Sequence, residues 1–440
     1  MNSKTATLQA LDKAHLWHPF TAMSEWCAPD HEPLVLDHGE GVWLYDTEGR
    51  RYFDGNSSIW TNIHGHRHPA ITAAIREQLD RVAHVSFLGA THEPAIRLAA
   101  ELVSLFPPQS LTRVFFSDDG STAVECALRL AWQFWEWHNQ PQRRTIVAFD
   151  RAYHGDTLGA ASLGGIPLFA GTAASLGLPV RHVADLADLE ALTPPELQRI
   201  AAVVIEPLIQ GAAGMRLWPD GLLRSLNSWC QRHDILLILD EVMTGFGRTG
   251  RLFACEHENV QPDFLCLAKG LTGGYSPLAA TMTTDRVFSA FAGPPTDRRT
   301  FFYGHSYSGH ALGCAAALAN LRIFRDEHVL DRLPPKIEHL ARALAHLKYQ
   351  YPQWIREVRQ RGFIAGVEIY PPLKPPNPTS PAPIRWGTEI CQAARAFGLL
   401  TRPIGNTLIL MPPLCTTTAE LDIALRALEN ALLHGLEPAG

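Results

Sequence analysis

Five short stretches in the middle of the chain are apolar on both faces: TRVFFS (112–117), TIVAFD (145–150), AAVVIEP (201–207), DILLILDE (234–241) and DFLCLAK (263–269). A strand with two apolar faces must be covered on both, as the central strands of a mostly parallel sheet are. Between these stretches the period lengthens. STAVECALRLAWQFWEWH (121–138) and DGLLRSLNSWCQRH (220–233) place apolar residues at helical spacing. Strand, helix and strand in succession predict βαβ crossovers and an α/β sheet.

The two ends are patterned differently. VWLYDTEGRRYFDG (42–55) reads as a hairpin turning at TEGR, residues 354–370 resume mixed patterning, and PPLKPPNPTSPAP (371–383) reads as a proline-rich exposed loop. The expected organisation is α/β, with a large domain built on the central sheet over residues 61–325. A smaller α+β domain is expected from both chain ends, residues 1–60 and 326–440. No internal repeat is visible.

Composition narrows the classes without choosing one. The chain has 440 residues, 46% hydrophobic and 19% charged, with a net charge of −6. It is long enough for two domains, and not basic enough to suggest a nucleic-acid surface. No apolar run approaches the length of a membrane span, and MNSKTATLQALDKAHLWHPF lacks a signal-peptide core. None of the eight cysteines forms a C-x-x-C pair, and several sit in apolar periodic segments. Buried free thiols in a reducing compartment have this look, so a cytoplasmic protein is expected.

In open α/β sheets, ligands gather beyond the carboxyl ends of the strands. In FFSDDGSTAVE (115–125), Gly120 and Ser121 lie between a strand and a helix, and Thr122 with Glu125 has capping-box spacing. The junction is either a capped helix start or a phosphate cup made of free amides, the helix dipole and the Ser121 hydroxyl. Asp118 and Asp119 would repel a phosphate unless they point away. In ILDEVMTGFGRTG (238–250), Asp240 ends a very apolar strand and needs a partner, either a protein group or a protonated ring nitrogen.

In LCLAKGLTGGYSPLA (265–279), Lys269 closes the next apolar run. It is either a lysine with a wet head, or a desolvated amine whose lowered pKa makes it a nucleophile toward carbonyls. One strand–helix–strand unit separates Asp240 from Lys269, which predicts neighbouring strand ends facing one pocket. Phosphate cup, buried acid and desolvated lysine together fit pyridoxal 5′-phosphate. Tyr153, in RAYHGDTLG (151–159), is either a packing aromatic or a group stacked on that ring. His64, His66 and His68 in TNIHGHRHP (61–69) could share a strand face, yet no cysteine or carboxylate lies close in sequence as a fourth ligand. HRHP reads instead as a helix entry, and no metal is expected.

DEVMTGFGRTG followed by LAKGLTGG resembles the signature of the class III, fold-type-I, pyridoxal-phosphate-dependent aminotransferases, from HLWHPF to TRPIGNTLILMPP. Within that class, HLWHPFTAM (15–23), SSIWTNIHGHRHP (57–69), AYHGDTLGA (152–160) and RPIGNTLILMPP (402–413) are similar to the branch acting in biotin biosynthesis. The resemblance implies amination of 8-amino-7-oxononanoate to 7,8-diaminononanoate. S-Adenosyl-L-methionine is the first choice of donor, with L-lysine behind it; another omega-amino acid aminotransferase is the further alternative.

The same resemblance implies roles residue by residue. Lys269 would be the Schiff-base lysine and proton shuttle, and Asp240 the partner of the pyridinium nitrogen. Gly120 and Ser121 would hold the phosphate. Tyr153 would lie over the ring and touch substrate, beside Asp156, and Arg402 would bind the keto acid's carboxylate. Gly304 and Ser306, in YGHSYSGHALG (303–313), would reach the phosphate and substrate of the neighbouring subunit, which implies a homodimer with shared active sites.

Departures from the branch's usual pattern gather among the substrate residues. Phe20 stands where a tyrosine is usual, and Ile59-Trp60 where a tryptophan pair is common. Ser306 replaces a threonine, His305 a proline and Ile409 a tyrosine. A lysine-using variant shows a similar pattern, so the acceptor is better supported than the donor. An aminomutase of the same fold would need no separate donor, and a silent binding relative would lack Lys269.

Overall fold

All five doubly apolar stretches are strands of one sheet in the computed structural model, which describes residues 2–171, 177–370 and 385–436. The proline-rich stretch 371–383 lies outside the described residues. Seven strands run in the spatial order Arg113–Ser117, Ala279–Thr283, Phe264–Leu267, Leu236–Asp240, Ile200–Ile205, Thr145–Phe149 and Val180–Val183. Ala279–Thr283 pairs antiparallel with both neighbours, and the other pairings are parallel. Every residue of Ile200–Ile205 and Leu236–Asp240 is buried. At about 1.5–3 kcal/mol for each large aliphatic side chain removed from water, these two strands anchor the domain.

Two strands escaped the periodicity. Val180–Val183, VRHV, is an edge strand whose middle residues are exposed, so it lacks the doubly apolar signature. Ala279–Thr283, AATMT, is wholly buried but carries small and hydroxylated side chains. Thr281 meets its burial by donating its hydroxyl to the Ala123 carbonyl at 2.8 Å.

The helix Gly120–Trp137 lies against this sheet through Val124, Ala127, Leu128, Ala131, Phe134 and Trp135, all buried. The Trp135 indole N–H reaches the Ala201 carbonyl at 2.8 Å, which is what allows it in a dry core. Its cap differs from the expected one. Asp119 is the N-cap and forms a reciprocal capping box with Thr122. Aspartate three residues upstream outcompetes threonine for the first free amides. Glu125 instead accepts from the Thr157 hydroxyl at 2.9 Å and the Ala160 amide at 3.2 Å.

The chain ends build two smaller sheets. The expected hairpin forms from Trp43–Asp46 and Arg51–Asp54, with Leu36–Glu40 outside it and Leu399–Leu400 parallel to Arg51–Asp54. Ile355–Arg361, Ile364–Ile369, Thr407–Leu410 and Pro403–Ile404 form a second, antiparallel sheet. The helix Pro69–Arg81 begins at HRHP with Pro69 in its first turn, where the missing N–H costs nothing.

Candidate active site

A cavity of ≈ 730 Å³ opens where the central strands end. Its walls come from Asp118–Ser121, Tyr153–Thr157, Glu206, Asp240 and Lys269, each just past a strand's carboxyl end. Asp240 is in register with Cys266 on the adjacent parallel strand, so Asp240 and Lys269 do lie at neighbouring strand ends.

The helix start faces this cavity. Gly120 and Ser121 are its first two residues, and their amides have no intrahelical acceptor. The two carboxylates beside them are engaged elsewhere. Asp119 accepts from the Thr122 amide at 3.0 Å, and Asp118 meets His305 Nδ1 at 2.9 Å. Ser121 Oγ accepts from the Asp156 amide at 2.9 Å. That approach requires Gly155: at φ +120°, a Cβ there would stand 2.0 Å from Ser121 Oγ. Such an amide-lined cradle at a helix N-terminus fits a phosphate group.

Asp240 is 5% exposed and its partner in this chain is His154. His154 Nδ1 lies 2.7 Å from Asp240 Oδ2, and the Val242 amide donates to Oδ1 at 3.1 Å. Burial opposes charge on His154, but the bond to Asp240 and the charges of Asp240 and Glu206 raise its pKa on balance. Glu206 receives the Tyr153 and Gly211 amides at 3.2 and 2.9 Å, and burial pushes its carboxyl up to about 7. Sequence reading missed both residues. The available signals were HG after Tyr153 and EP closing the strand Ile200–Ile205.

Lys269 is partly buried at the cavity wall. Desolvation lowers its pKa, with Arg248 adding to that and Asp240 and Glu206 opposing it. Its Nζ lies 4.8 Å from the centre of the Trp60 ring. Trp60 ends an unusual turn: Ser57, Ser58, Ile59 and Trp60 all have positive φ, from 46° to 72°. Left-handed backbone costs roughly 1–2 kcal/mol for each such L-residue and is ordinarily met singly.

At the mouth of the site, aromatic rings follow one another. The Tyr153 hydroxyl donates to Asp156 at 2.6 Å, and burial, with that bond, raises its pKa. Tyr153 packs edge-on against Phe169 at 5.6 Å, and Phe169 against Phe20 at 5.9 Å. The Arg402 guanidinium sits 6.0 Å from the Phe20 ring. Phe20 and Ile59, 58% and 44% exposed, are therefore rim residues and do not line the cavity. Ile409 lies deeper than expected, 1% exposed in a cluster with Met215, Met243 and Met411, so it meets the cavity only through neighbours such as Met243. Gly304 and Ser306 are exposed and do not line this chain's own cavity.

The three histidines diverge. His64 is buried against Phe324, and desolvation lowers its pKa to about 3. His66 Nε2 meets Asp54 at 2.9 Å, and His68 meets Glu327 at 3.2 Å. Among the described residues no group of three or more His, Cys, Asp or Glu is placed to hold a metal ion.

Comparison with known proteins adds to this geometry. Residues 26–432 match the family model described as Aminotransferase class-III. A protein of Nitratidesulfovibrio vulgaris named adenosylmethionine-8-amino-7-oxononanoate aminotransferase is 46% identical, over 99% of this chain and 84% of that one. One of the same name from Geobacter sulfurreducens is 43% identical, over 97% and 98% of the two chains. The crystal structure of the Methanocaldococcus jannaschii protein of that name superposes with a TM-score of 0.91 at 38% identity, covering 98% of this chain and 99% of that one. An amine transaminase from an uncultivated Pseudomonas species, solved in a PLP-bound form, has a TM-score of 0.86 at 32% identity, over 96% and 98%.

Proposed function

We infer the reaction from the premise that this chain belongs to the class III aminotransferases, matched over residues 26–432. It is a pyridoxal-phosphate-dependent aminotransferase of fold type I. We propose that it aminates 8-amino-7-oxononanoate to 7,8-diaminononanoate with S-adenosyl-L-methionine as donor, the biotin-pathway step. The observation that carries this is the convergence of Gly120-Ser121, Asp240 and Lys269 on one cavity, in a chain 46% identical to a protein bearing that reaction in its name.

The cavity fits the cofactor. The cradle that Gly155 leaves open would take the phosphate on the Gly120 and Ser121 amides, and the Asp240 carboxylate would face a ring nitrogen. When bound, the cofactor supplies an aldehyde that condenses with amines and a protonated ring that withdraws electrons. Lys269 Nζ, its pKa lowered by desolvation, would be the amine that holds the cofactor's aldehyde and the base that moves the substrate proton. His154 holds Asp240 in place, and Glu206 favours the charge on His154. Tyr153, fixed by Asp156 at the cavity wall, would cover the ring and contact substrate. Arg402, exposed at the rim, takes the acceptor's carboxylate, with Phe20, Ile59 and Trp60 forming the apolar path inward.

Half-reactions test the donor. Adenosylmethionine and lysine are added separately to purified enzyme while the cofactor's absorbance is followed. Loss with adenosylmethionine alone is expected, and would mean that the hydroxyl missing at Phe20 is dispensable. Loss with lysine alone replaces the donor and makes the apolar rim its mark, which is the second reading. Loss with neither sinks the assignment.

The homodimer belongs to the same proposal. Gly304 and Ser306 are presented outward beside Phe302 and Tyr307, 83% and 57% exposed, with Leu88 95% exposed. Apolar exposure on this scale suits a face covered by a second copy. Phe302→Asp is expected to give monomers in light scattering, with activity lost alongside the dimer. A fully active monomer would contradict shared sites. A cytoplasmic setting is also proposed, supported by eight free cysteines, six of them buried. Among the described residues no helix is long and apolar enough to cross a membrane.

A further inference from the structure

Strained backbone persists only where its surroundings over-determine it. The left-handed turn Ser57–Trp60 is gripped along its whole length. The Trp60 amide donates to the Asn56 carbonyl at 2.8 Å, and its indole N–H to the Asn56 side chain at 2.7 Å. Ser57 Oγ donates to the Met411 carbonyl at 2.6 Å. In the middle of the turn the Ser58 carbonyl accepts from the Thr61 hydroxyl at 3.0 Å, and the Ser58 amide and hydroxyl are both taken by Asp54. Its Oδ1 accepts from the Ser58 amide at 2.9 Å and its Oδ2 from the Ser58 hydroxyl at 2.8 Å.

Asp54 is itself buried, 2% exposed, and is kept in place from behind. His66 Nε2 donates to Oδ2 at 2.9 Å, and His66 Nδ1 accepts from the Asn62 amide group at 3.1 Å. His66 is pressed against the outer strand, since a Cβ on Gly39 would lie 2.7 Å from its ring. The histidine-rich segment thereby gains a use that metal binding does not supply. None of these groups touches the cavity, yet the turn they hold ends in Trp60, which forms the cavity wall 4.8 Å from Lys269 Nζ.

We propose that Asp54 is a positioning residue: through Ser58 it keeps Ser57–Trp60 left-handed, so that the Trp60 indole stands beside the Lys269 amine. A glycine, which adopts positive φ freely, would hold the same turn without that grip. The inference rests on the cavity being the cofactor site. Wild-type protein without a cofactor linked to Lys269 would therefore fail that reading before any variant is compared.

The test is a rescue in the cofactor-loaded enzyme. Asp54→Ala is expected to lower the adenosylmethionine half-reaction by about 10²-fold, the scale of a 1 Å misplacement, and to weaken the visible circular dichroism of the bound cofactor. Adding Ser58→Gly to Asp54→Ala should restore most of both signals. Combining Asp54→Ala with Trp60→Phe should cost no more than Trp60→Phe alone, because the two changes remove one contact. Losses that Ser58→Gly leaves unrecovered, or that add to those of Trp60→Phe, overturn the proposal. If Asp54→Ala does not fold, Asp54→Asn with and without Ser58→Gly is judged by the same criteria. Should the wild type ignore adenosylmethionine, the dichroism still decides.

Discussion

Lys269→Ala is expected to abolish turnover, by about 10³-fold or more, while the protein still folds and still takes up cofactor. The size follows from losing two roles at once, the amine that condenses with the cofactor and the base that moves the proton, the latter alone being worth about 10²–10⁴-fold. Folding should survive. Lys269 is only partly buried, and its Nζ makes a cation–π contact with Trp60 rather than an ion pair. Cofactor uptake should survive too, because the phosphate cradle of Gly120 and Ser121 is on a different strand end. Steady-state assay and the visible spectrum check both halves. Transamination retained in this variant would remove Lys269 from the chemistry.

The second large effect is expected at Asp240. Asp240→Asn keeps the shape and one acceptor for His154, but gives up the charge that would hold a ring nitrogen protonated. A drop of about 10²–10⁴-fold in the half-reaction is expected, with only a small fall in melting temperature. Asp240→Ala should differ in kind. His154, its side chain fully buried, would lose the carboxylate 2.7 Å away, and stranding one member of a buried pair costs about 3–5 kcal/mol. Rates and thermal unfolding of the two variants separate the roles. If Asp240→Asn lost activity only in proportion to folded protein, Asp240 would be a support for the sheet and nothing more.

How much of this was readable in the sequence differs from residue to residue. Asp240 and Lys269 could be brought together because each closes an apolar run and one crossover separates them. Crossover geometry in a parallel sheet leaves little freedom. His154 could not be foreseen in the same way. It reaches Asp240 across 86 residues, and periodicity does not say which strand ends face each other. The helix cap failed for a local reason: Thr122-to-Glu125 fits the capping rule, but Asp119 fits it better and left Glu125 for Thr157. The turn Ser57–Trp60 was invisible because SSIW contains no glycine, the residue that normally signals positive φ. Its conformation is imposed by Asp54, Asn56 and the Met411 carbonyl, contacts that only the assembled fold supplies. Gly304 and Ser306 point to a fourth limit. In one chain they do not line the site cavity, and their proposed role needs a second copy.

The central claim is the passage of an amino group to one acceptor, and a label follows it most directly. Adenosylmethionine carrying heavy nitrogen in its amino group is incubated with the enzyme and 8-amino-7-oxononanoate, and the product is weighed by mass spectrometry. The account predicts 7,8-diaminononanoate bearing the heavy nitrogen, and no label in product made by Lys269→Ala. An acceptor left unaminated, with labelled or unlabelled donor and with lysine in its place, would contradict it.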